Sequence, residues 1–252
     1  MEMPSLSNAN TAVPDTSRNS AKLQHAGEML GEFVRRTADI IVSIMVLSFS
    51  APILLVLIFL VRMDSPGPAL FRQKRVGRNR RRATGGVYHG PERRKEDFGG
   101  ELFWFVKLRT MYEDARKRFP ELYAYRFTEE EVDDLQFKTQ DDPRHTRLGR
   151  WLRRTSLDEL PNFWSVLTGH MTLVGPRPDI PEITRYYRPE QKRIFDVKPG
   201  VTGYAQVRGR CALKFQQTKA YDVQYVDERS LWTDLKVLVE TVLSVVTAKG
   251  AF

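Results

Sequence analysis

The feature that most constrains this chain is a run from Ile40 to Val61 that contains no charged residue. As one α-helix, the run would reach about 30 Å, which matches the hydrocarbon core of a bilayer. A buried helix of a soluble protein would normally keep some polar face at this length. The sequence therefore predicts a membrane-inserted helix over residues 28–63. Residues 1–27 are polar and show no hydrophobic period, so we expect them to be a disordered tail.

The residues around this run do not say whether the helix crosses the bilayer. Arg35 and Arg36 precede it, and the basic stretch "FRQKRVGRNRRRA" follows it. Positive charge on both sides gives the positive-inside rule no direction. Pro52 lies near the middle and removes a backbone hydrogen bond, which predicts a kink. Two arrangements stay open: a kinked helix that spans the membrane, and one that bends at Pro52 and returns to the same face.

The rest of the chain, residues 64–252, is predicted to form a compact, mostly helical α+β domain. An apolar run at 102–111 is typical of a buried strand. The predicted helices cover residues 111–136, 147–154, 213–230 and 231–252. The last of these carries apolar residues at helical spacing. It could pack in the core or lie amphipathically in the membrane interface.

The Arg- and Gly-rich residues 78–100 have no period and predict an exposed basic insertion loop. This loop could be solvated, or it could contact lipid phosphates or a partner.

A net charge of +9 suits an anionic partner, such as nucleic acid, anionic lipid or a phosphorylated small molecule. Nucleic acid is disfavoured because the basic residues are dispersed among turns and do not share one face with aromatic residues. One cysteine and four scattered histidines give no zinc-binding spacing. The chain also has no phosphate-binding loop of the nucleotide-hydrolase type and no dinucleotide-binding glycine pattern.

Two adjacent acids, Asp158 and Glu159, stand before Pro161 in the stretch "TSLDELPNFWSVLTG". Proline is tolerated in the first turn of a helix, so Pro161 places a helix start close to the acids. Carboxylates are favoured there by the helix dipole and by free backbone amides, which makes capping their ordinary interpretation. One acid would suffice for a cap, however, and the basic residues nearby favour a second interpretation.

Several basic residues adjoin turns or apolar runs, so binding an anion explains them better than exposure on a solvated helix face does. They are Lys107, Arg109, Arg153, Arg177 and Arg210. Arg177 stands between Pro176 and Pro178, so its backbone is rigid and its guanidinium can be aimed at a phosphate. A carboxylate can attack a phosphoryl group to form an acyl phosphate, and Mg²⁺ suits a site of carboxylates and substrate phosphates. Asp222, among aromatic residues, is a further candidate, although it could equally be a helix-surface charge.

Four stretches taken together resemble a known family: "SPGPALFRQKRVG", "FVKLRTM", "RLGRWLRRTSLDELPNFWSVLTGHMTLVGPRPD" and "VKPGVTGYAQVRGR". In this order, over roughly residues 30 to 250, they are similar to the bacterial sugar transferases of the monotopic phosphoglycosyl transferase superfamily. The resemblance implies transfer of a sugar phosphate from a UDP-sugar to polyprenyl (undecaprenyl) phosphate by a ping-pong reaction that releases UMP. It also implies a Mg²⁺ cofactor and the cytoplasmic face of the bacterial inner membrane.

By motif position, the resemblance makes Asp158 the nucleophile and Glu159 its partner, which holds Mg²⁺ with it or assists proton transfer. The implied substrate-binding residues are Lys107, Arg109, Arg153, Arg177, Gln206, Arg210 and Asp222. The family's membrane helix is re-entrant through a Ser-Pro kink, whereas here Ala51 precedes Pro52 and Ser50 lies one position earlier. The sugar stays open, as do a homo-oligomer and glycan-assembly partners. The alternative from another class is a catalytically silent membrane scaffold that recruits such partners.

Overall fold

The computed structural model describes residues 16–80, 97–136, 142–209 and 213–246. Within these ranges the chain is mostly helical, with one long N-terminal helix and two small two-stranded sheets. This agrees with the predicted α+β class. Residues 1–15, most of the predicted basic loop (81–96), and Arg210 lie outside the described residues.

The N-terminal helix α1 (Thr16–Asp64) carries the uncharged run. It begins at Thr16, so the prediction of a disordered tail up to residue 27 is wrong for residues 16–27. The backbone is helical on both sides of Pro52. Its portion Ala26–Asp64 is, among the described residues, the one helix with the length and apolar composition to cross a membrane. Large apolar side chains such as Phe49, which is 81% exposed, cover its outer faces.

The first sheet is a hairpin of β1 (Leu70–Val76) and β2 (Leu102–Leu108), paired antiparallel so that Phe71 lies opposite Lys107. Phe103 and Phe105 are buried on one face of β2, as the strand predicted at 102–111 requires. The second sheet pairs β3 (Thr172–Val174) parallel with β4 (Gly200–Thr202).

The segment after β2 is not the continuous amphipathic helix predicted over residues 111–136. It consists of α2 (Ala115–Arg118), a 3₁₀ turn at Pro120–Tyr123 and α3 (Glu129–Asp134). Pro120 has no backbone N–H to continue α2, which explains one interruption. Tyr125 adopts a positive φ of 47°, which ends the 3₁₀ turn and turns the chain before α3.

The predicted helices at 147–154 and 213–230 are confirmed. The remaining helices in chain order are α4 (Arg147–Thr155), α5 (Phe163–Leu167), α6 (Pro181–Thr184), α7 (Tyr204–Arg208), α8 (Phe215–Asp227) and α9 (Leu231–Val246). Two 3₁₀ helices, Leu157–Asn162 and Pro189–Asp196, lie between them.

Helix α1 packs directly on the globular part. Leu57 and Val61 of α1 share a buried cluster with Leu108 of β2 and Leu152 of α4. The backbones of α4 and the residues after β2 approach so closely that a Cβ at Gly149 would lie 1.9 Å from the carbonyl oxygen of Thr110. This contact fixes α4, and therefore the acids that follow it, against the end of β2.

Candidate active site

The two acids lie on the 3₁₀ helix Leu157–Asn162, directly after α4. Ser156, between the two helices, adopts a left-handed conformation with φ 58°, which turns the chain sharply. The 3₁₀ helix then packs against β2. Only 5% of Asp158 is exposed, so this carboxyl is not the solvated helix cap that its position in the sequence also allowed.

Asp158 is a buried acid that has one acidic and three basic neighbours. Burial raises the pKa of its carboxyl to about 6, and the neighbouring charge of Glu159 adds to the rise. Lys107, Arg177 and Arg153 act in the opposite direction. Across the part of the chain that the structure describes, no hydrogen bond or ion pair engages the Asp158 carboxylate. A ligand that binds the Asp158 carboxylate would therefore displace no partner among the described residues.

Glu159, in contrast, is held by Arg177. The guanidinium donates from Nη2 to Oε1 at 2.7 Å and from Nη1 to Oε2 at 3.3 Å. The charge of Glu159 raises the pKa of Arg177, which stays protonated. The loop that carries Arg177 begins at Gly175, where a Cβ would lie 2.6 Å from the carbonyl oxygen of Lys198. The two acids thus have different environments, one paired and one not.

Two cations of the first hairpin complete the surroundings of the acids. Lys107 of β2 is close enough to Asp158 for the two charges to affect each other. Burial lowers the pKa of Lys107 to about 8, although the charge of Asp158 opposes the shift. Arg75 of β1 donates to the carbonyl of Pro178 at 2.9 Å, which ties the hairpin to the Arg177 loop. Burial, followed by the charge of Arg177, lowers the pKa of Arg75 to about 10.

Sequence reasoning did not single out Arg75, because it stands in a run with Arg72 and Lys74 that looks uniformly basic. Arg72 and Lys74 are exposed, whereas Arg75 is half-buried. Strand alternation was the available signal, since a half-buried strand turns every second side chain inward.

His145 is a second residue that sequence reasoning missed. Its Nδ1 lies 3.0 Å from the carbonyl oxygen of Thr110 and its Nε2 contacts the guanidinium of Arg153. Burial, then the charge of Arg153, lowers the pKa of His145 to about 4, so the ring is neutral at pH 7. A neutral ring that donates from Nδ1 accepts at Nε2. His145 therefore holds Arg153 close to the acids.

Asp222 of α8 is not a surface charge, because only 1% of it is exposed. Its Oδ2 lies 3.0 Å from Nζ of Lys219, which is itself 2.9 Å from Asp179. Tyr187 donates to Asp179 at 2.7 Å. Burial raises the pKa of Asp222 to about 6, and its Oδ1 has no hydrogen-bond partner among the described residues. Since Asp179 follows Pro178, this buried network supports the Arg177 loop from behind.

Three predicted site residues remain. Both side-chain atoms of the Gln206 amide are buried without a hydrogen-bond partner in the described ranges. Arg210 lies outside the described residues. Arg109 is 6% exposed and is engaged elsewhere. Its guanidinium donates to backbone carbonyls at the end of α1, those of Val61, Ser65 and Pro66. These contacts support a helix-capping role for Arg109 rather than the predicted substrate contact.

Mg²⁺ was predicted to bind Asp158 and Glu159. The described residues contain no cluster of three or more His, Cys, Asp or Glu that could hold a metal by themselves. Mg²⁺ commonly binds one or two carboxylates plus substrate phosphates and water, however. Asp158 suits this mode, since its buried carboxylate lacks a partner, whereas Glu159 is already bound by Arg177. The residues fit a cation that substrate phosphates help to hold.

The chain belongs to the bacterial sugar transferase family, whose model matches residues 30–248. It is 36% identical over 218 residues to the galactosyl transferase CpsE of Streptococcus agalactiae, an alignment that covers 86% of this chain and 43% of that protein. It is 34% identical over 226 residues to the UDP-glucose:undecaprenyl-phosphate glucose-1-phosphate transferase of Caulobacter vibrioides, and this alignment covers 86% of this chain and 72% of that protein. The exopolysaccharide production protein ExoY of Sinorhizobium fredii is 29% identical over 223 residues, which cover 88% of this chain and 90% of that protein.

The chain thus spans less than half the length of the Streptococcus relative but most of the length of the other two. The motif-based assignment to this family is confirmed.

Proposed function

We propose that this protein transfers a sugar phosphate from a UDP-sugar to polyprenyl (undecaprenyl) phosphate, releasing UMP. The observation that carries the proposal is the unequal pair of acids. Asp158 is buried, has no partner among the described residues and is surrounded by three cationic side chains, while Glu159 is neutralised by Arg177. The name of the Caulobacter relative, a UDP-glucose:undecaprenyl-phosphate glucose-1-phosphate transferase, supports the same reaction class.

The proposed reaction has two steps. A carboxylate oxygen of Asp158 attacks the sugar-bearing phosphorus of the UDP-sugar, forms an acyl phosphate and breaks the bond to UMP. A phosphate oxygen of polyprenyl phosphate then attacks the same phosphorus, forms the diphosphate and frees the Asp158 carboxylate. Lys107, Arg75 and Arg153 supply positive charge where phosphate oxygens gather negative charge. Arg177 holds Glu159, so that the second acid does not compete with Asp158 for the phosphorus. Mg²⁺, when bound at Asp158 with the substrate phosphates, would neutralise further phosphate charge.

The alternative, a catalytically silent scaffold, is less well supported. A scaffold has no need for a buried acid with a raised pKa beside cations, because such a group costs stability. A cell that makes its normal glycan with only the Asp158→Ala protein would favour the scaffold.

We also propose that α1 does not cross the membrane. The same globular part binds both ends of its apolar segment. Near the start, Arg36 donates to the carbonyls of Val166 and Leu167 at 2.6 and 2.7 Å. At the far end, Arg109 binds the carbonyls of Val61 and Ser65. A helix that crossed the bilayer would separate these ends by about 30 Å along the membrane normal, so entry and return to the cytoplasmic face of the inner membrane fits better.

Exposed apolar residues support a membrane-facing surface beyond α1. All four tryptophans are between 46% and 63% exposed: Trp104, Trp151, Trp164 and Trp232. Helix α9 buries Val237 in the core and exposes Leu235, Val239 and Val242 on other faces. Tryptophan is enriched at membrane interfaces. These exposures support the predicted interfacial amphipathic helix.

The covalent step is tested by incubating the purified full chain with UDP-glucose or UDP-galactose and Mg²⁺, without acceptor, and measuring the intact mass. We expect one sugar-phosphate adduct on the wild type and none on Asp158→Asn. Asp114→Asn, which neutralises an exposed acid paired only with Arg118, is the matched control and should form the adduct. Turnover to the lipid product without any adduct on the wild type would rule out the covalent step.

The topology is tested with single cysteines introduced at Ala26 and Glu113 in a chain whose native cysteine is replaced. Both should react with a membrane-impermeant thiol reagent from the same side of sealed vesicles. Labelling from opposite sides would show that α1 spans the bilayer.

A further inference from the structure

A cavity lies at the opposite end of the β1–β2 hairpin from Lys107. It has a volume of about 260 Å³ and is lined by Gly77, Arg78, Arg80, Glu101, Phe103, Gly169, His170 and Lys198. Phe103 and Lys107 are four residues apart on β2, or roughly 13 Å at the rise of a strand. The cavity is therefore separate from the acids of the candidate active site. Its size is below the roughly 300–1,000 Å³ of clefts that hold drug-sized ligands, so it suits one small group.

The walls of this cavity carry more basic than acidic side chains. Lys198 is half-buried and has no hydrogen bond or ion pair within the described part of the chain. Arg78 donates to the backbone carbonyl of Asp196 at 3.0 Å. Arg36 lies behind Gly169, because a Cβ added to Gly169 would be 3.5 Å from the Arg36 guanidinium. Like Arg78, Arg36 donates to backbone carbonyls.

Burial, followed by the charge of Arg36, lowers the pKa of Lys198, and the charge of Arg78 acts in the same direction. The acid in the wall, Glu101, is already paired with Arg80 at 2.9 Å.

The charges of Asp39 and Glu32 oppose the lowering of the Lys198 pKa. Glu32, however, is itself paired with Arg35 and Arg229. The three cations at the cavity therefore outnumber the carboxylates that act on them, and a bound anion would reduce the repulsion between them.

The cavity also lies next to the start of the apolar part of α1, because Arg36 stands behind Gly169 and four residues before Ile40. Basic residues at that point of a membrane helix lie among the headgroups. Trp164, on the helix whose end Arg36 binds, is 59% exposed and is of the type enriched at the same level. A phosphate on a lipid could reach the cavity from the membrane surface without leaving its leaflet.

We propose that this cavity binds the phosphate group of an anionic phospholipid headgroup through Lys198, Arg78 and Arg36. Lys198 and Arg78 form the wall, and Arg36 adds its charge from behind Gly169. The site would fix the rotation of the globular part on the membrane surface. This proposal does not depend on the transferase reaction, because none of its residues contacts the acids of the candidate active site.

The test uses the purified full chain in a neutral detergent, with a short-chain phosphatidylglycerol added in steps and the apparent Tm recorded. We expect a Tm rise that saturates in the wild type and in Lys192→Gln, a control that removes an exposed lysine. The half-saturating lipid concentration should be roughly tenfold higher in Lys198→Gln and Arg78→Gln, since each loses one charge-assisted contact. Lys198→Arg should keep the wild-type value.

Further arms distinguish the source of the phosphate. Phosphatidylcholine with the same acyl chains, inorganic phosphate and UMP should each leave the Tm of the wild type near its starting value. Equal half-saturation in the wild type and in both neutralised variants would overturn the site. An equal rise with inorganic phosphate or UMP, lost in Lys198→Gln, would overturn the lipid as the ligand.

Discussion

Replacing Arg109 by methionine tests whether this residue binds the end of helix α1 or the substrate. The substitution keeps the apolar stem and removes the guanidinium, which donates to Ser65 at 2.6 Å, to Val61 at 3.2 Å and to Pro66. Buried hydrogen bonds from a charged donor contribute about 1.5–3 kcal/mol each, and the cost of burying the charge offsets part of their sum. We expect a loss of about 3 kcal/mol in the free energy of unfolding.

For a chain of this size, a loss of about 3 kcal/mol corresponds to a fall of roughly 6–12 °C in apparent Tm. The assay is thermal unfolding of the full chain in detergent, together with the KM for the UDP-sugar. Arg147→Met, which removes an exposed arginine at the start of α4, is the matched control and should change the Tm by less than about 2 °C. In Arg109→Met the Tm should fall while KM stays within about twofold. An unchanged Tm with KM raised tenfold or more would refute the capping role and restore the substrate contact.

The remaining predictions concern charges around the acids. Since the pKa of Lys107 lies at about 8, its charge is lost as pH rises through that value, so kcat/KM should fall above pH 8. In Lys107→Arg this fall should move to higher pH, and an identical profile in both proteins would count against the assignment. His145→Phe removes the acceptor that holds Arg153 and should lower kcat/KM roughly tenfold. Adding Arg153→Met to His145→Phe should cost less than it does in the wild type, whereas full additivity would mean that the two residues act separately. Lys219→Met removes the cation that pairs with both Asp179 and Asp222 and should lower stability by about 3–5 kcal/mol in thermal unfolding. Adding Asp222→Asn should recover part of that loss, and no recovery would show that the ion network is not the cause.

Parts of the site were accessible from the sequence because they depend on local chain geometry. Arg177 lies between two prolines, and its predicted rigid aim is consistent with the two-pronged contact to Glu159. The predicted start of a helix close to the two acids is also correct, although it is a 3₁₀ helix that begins at Leu157 and has Pro161 near its end. The continuous helix predicted over 111–136 is wrong, because Pro120 interrupts the hydrogen-bond ladder that the periodicity implies.

Other parts depended on contacts between distant segments. Whether Arg75 or Lys74 faces the acids is set by the pairing of β1 with β2, and a shift of one residue in register would put Lys74 in the place of Arg75. The position of His145 beside Arg153 depends on a hydrogen bond to Thr110, 35 residues away. Asp222 is buried against Lys219 of the same helix, and Lys219 also pairs with Asp179 from another segment.

The sequence by itself determined that the chain carries an apolar helix long enough to enter a membrane and adjacent acids at a helix start among cations. These properties follow from composition, from proline and from spacing within a few residues. Only the tertiary structure decided that Asp158 is the open acid and Glu159 the paired one, and that Arg109 binds the end of α1. The reason is that a charged side chain's role depends on which buried partner it reaches, and the partners here come from segments far apart in the chain.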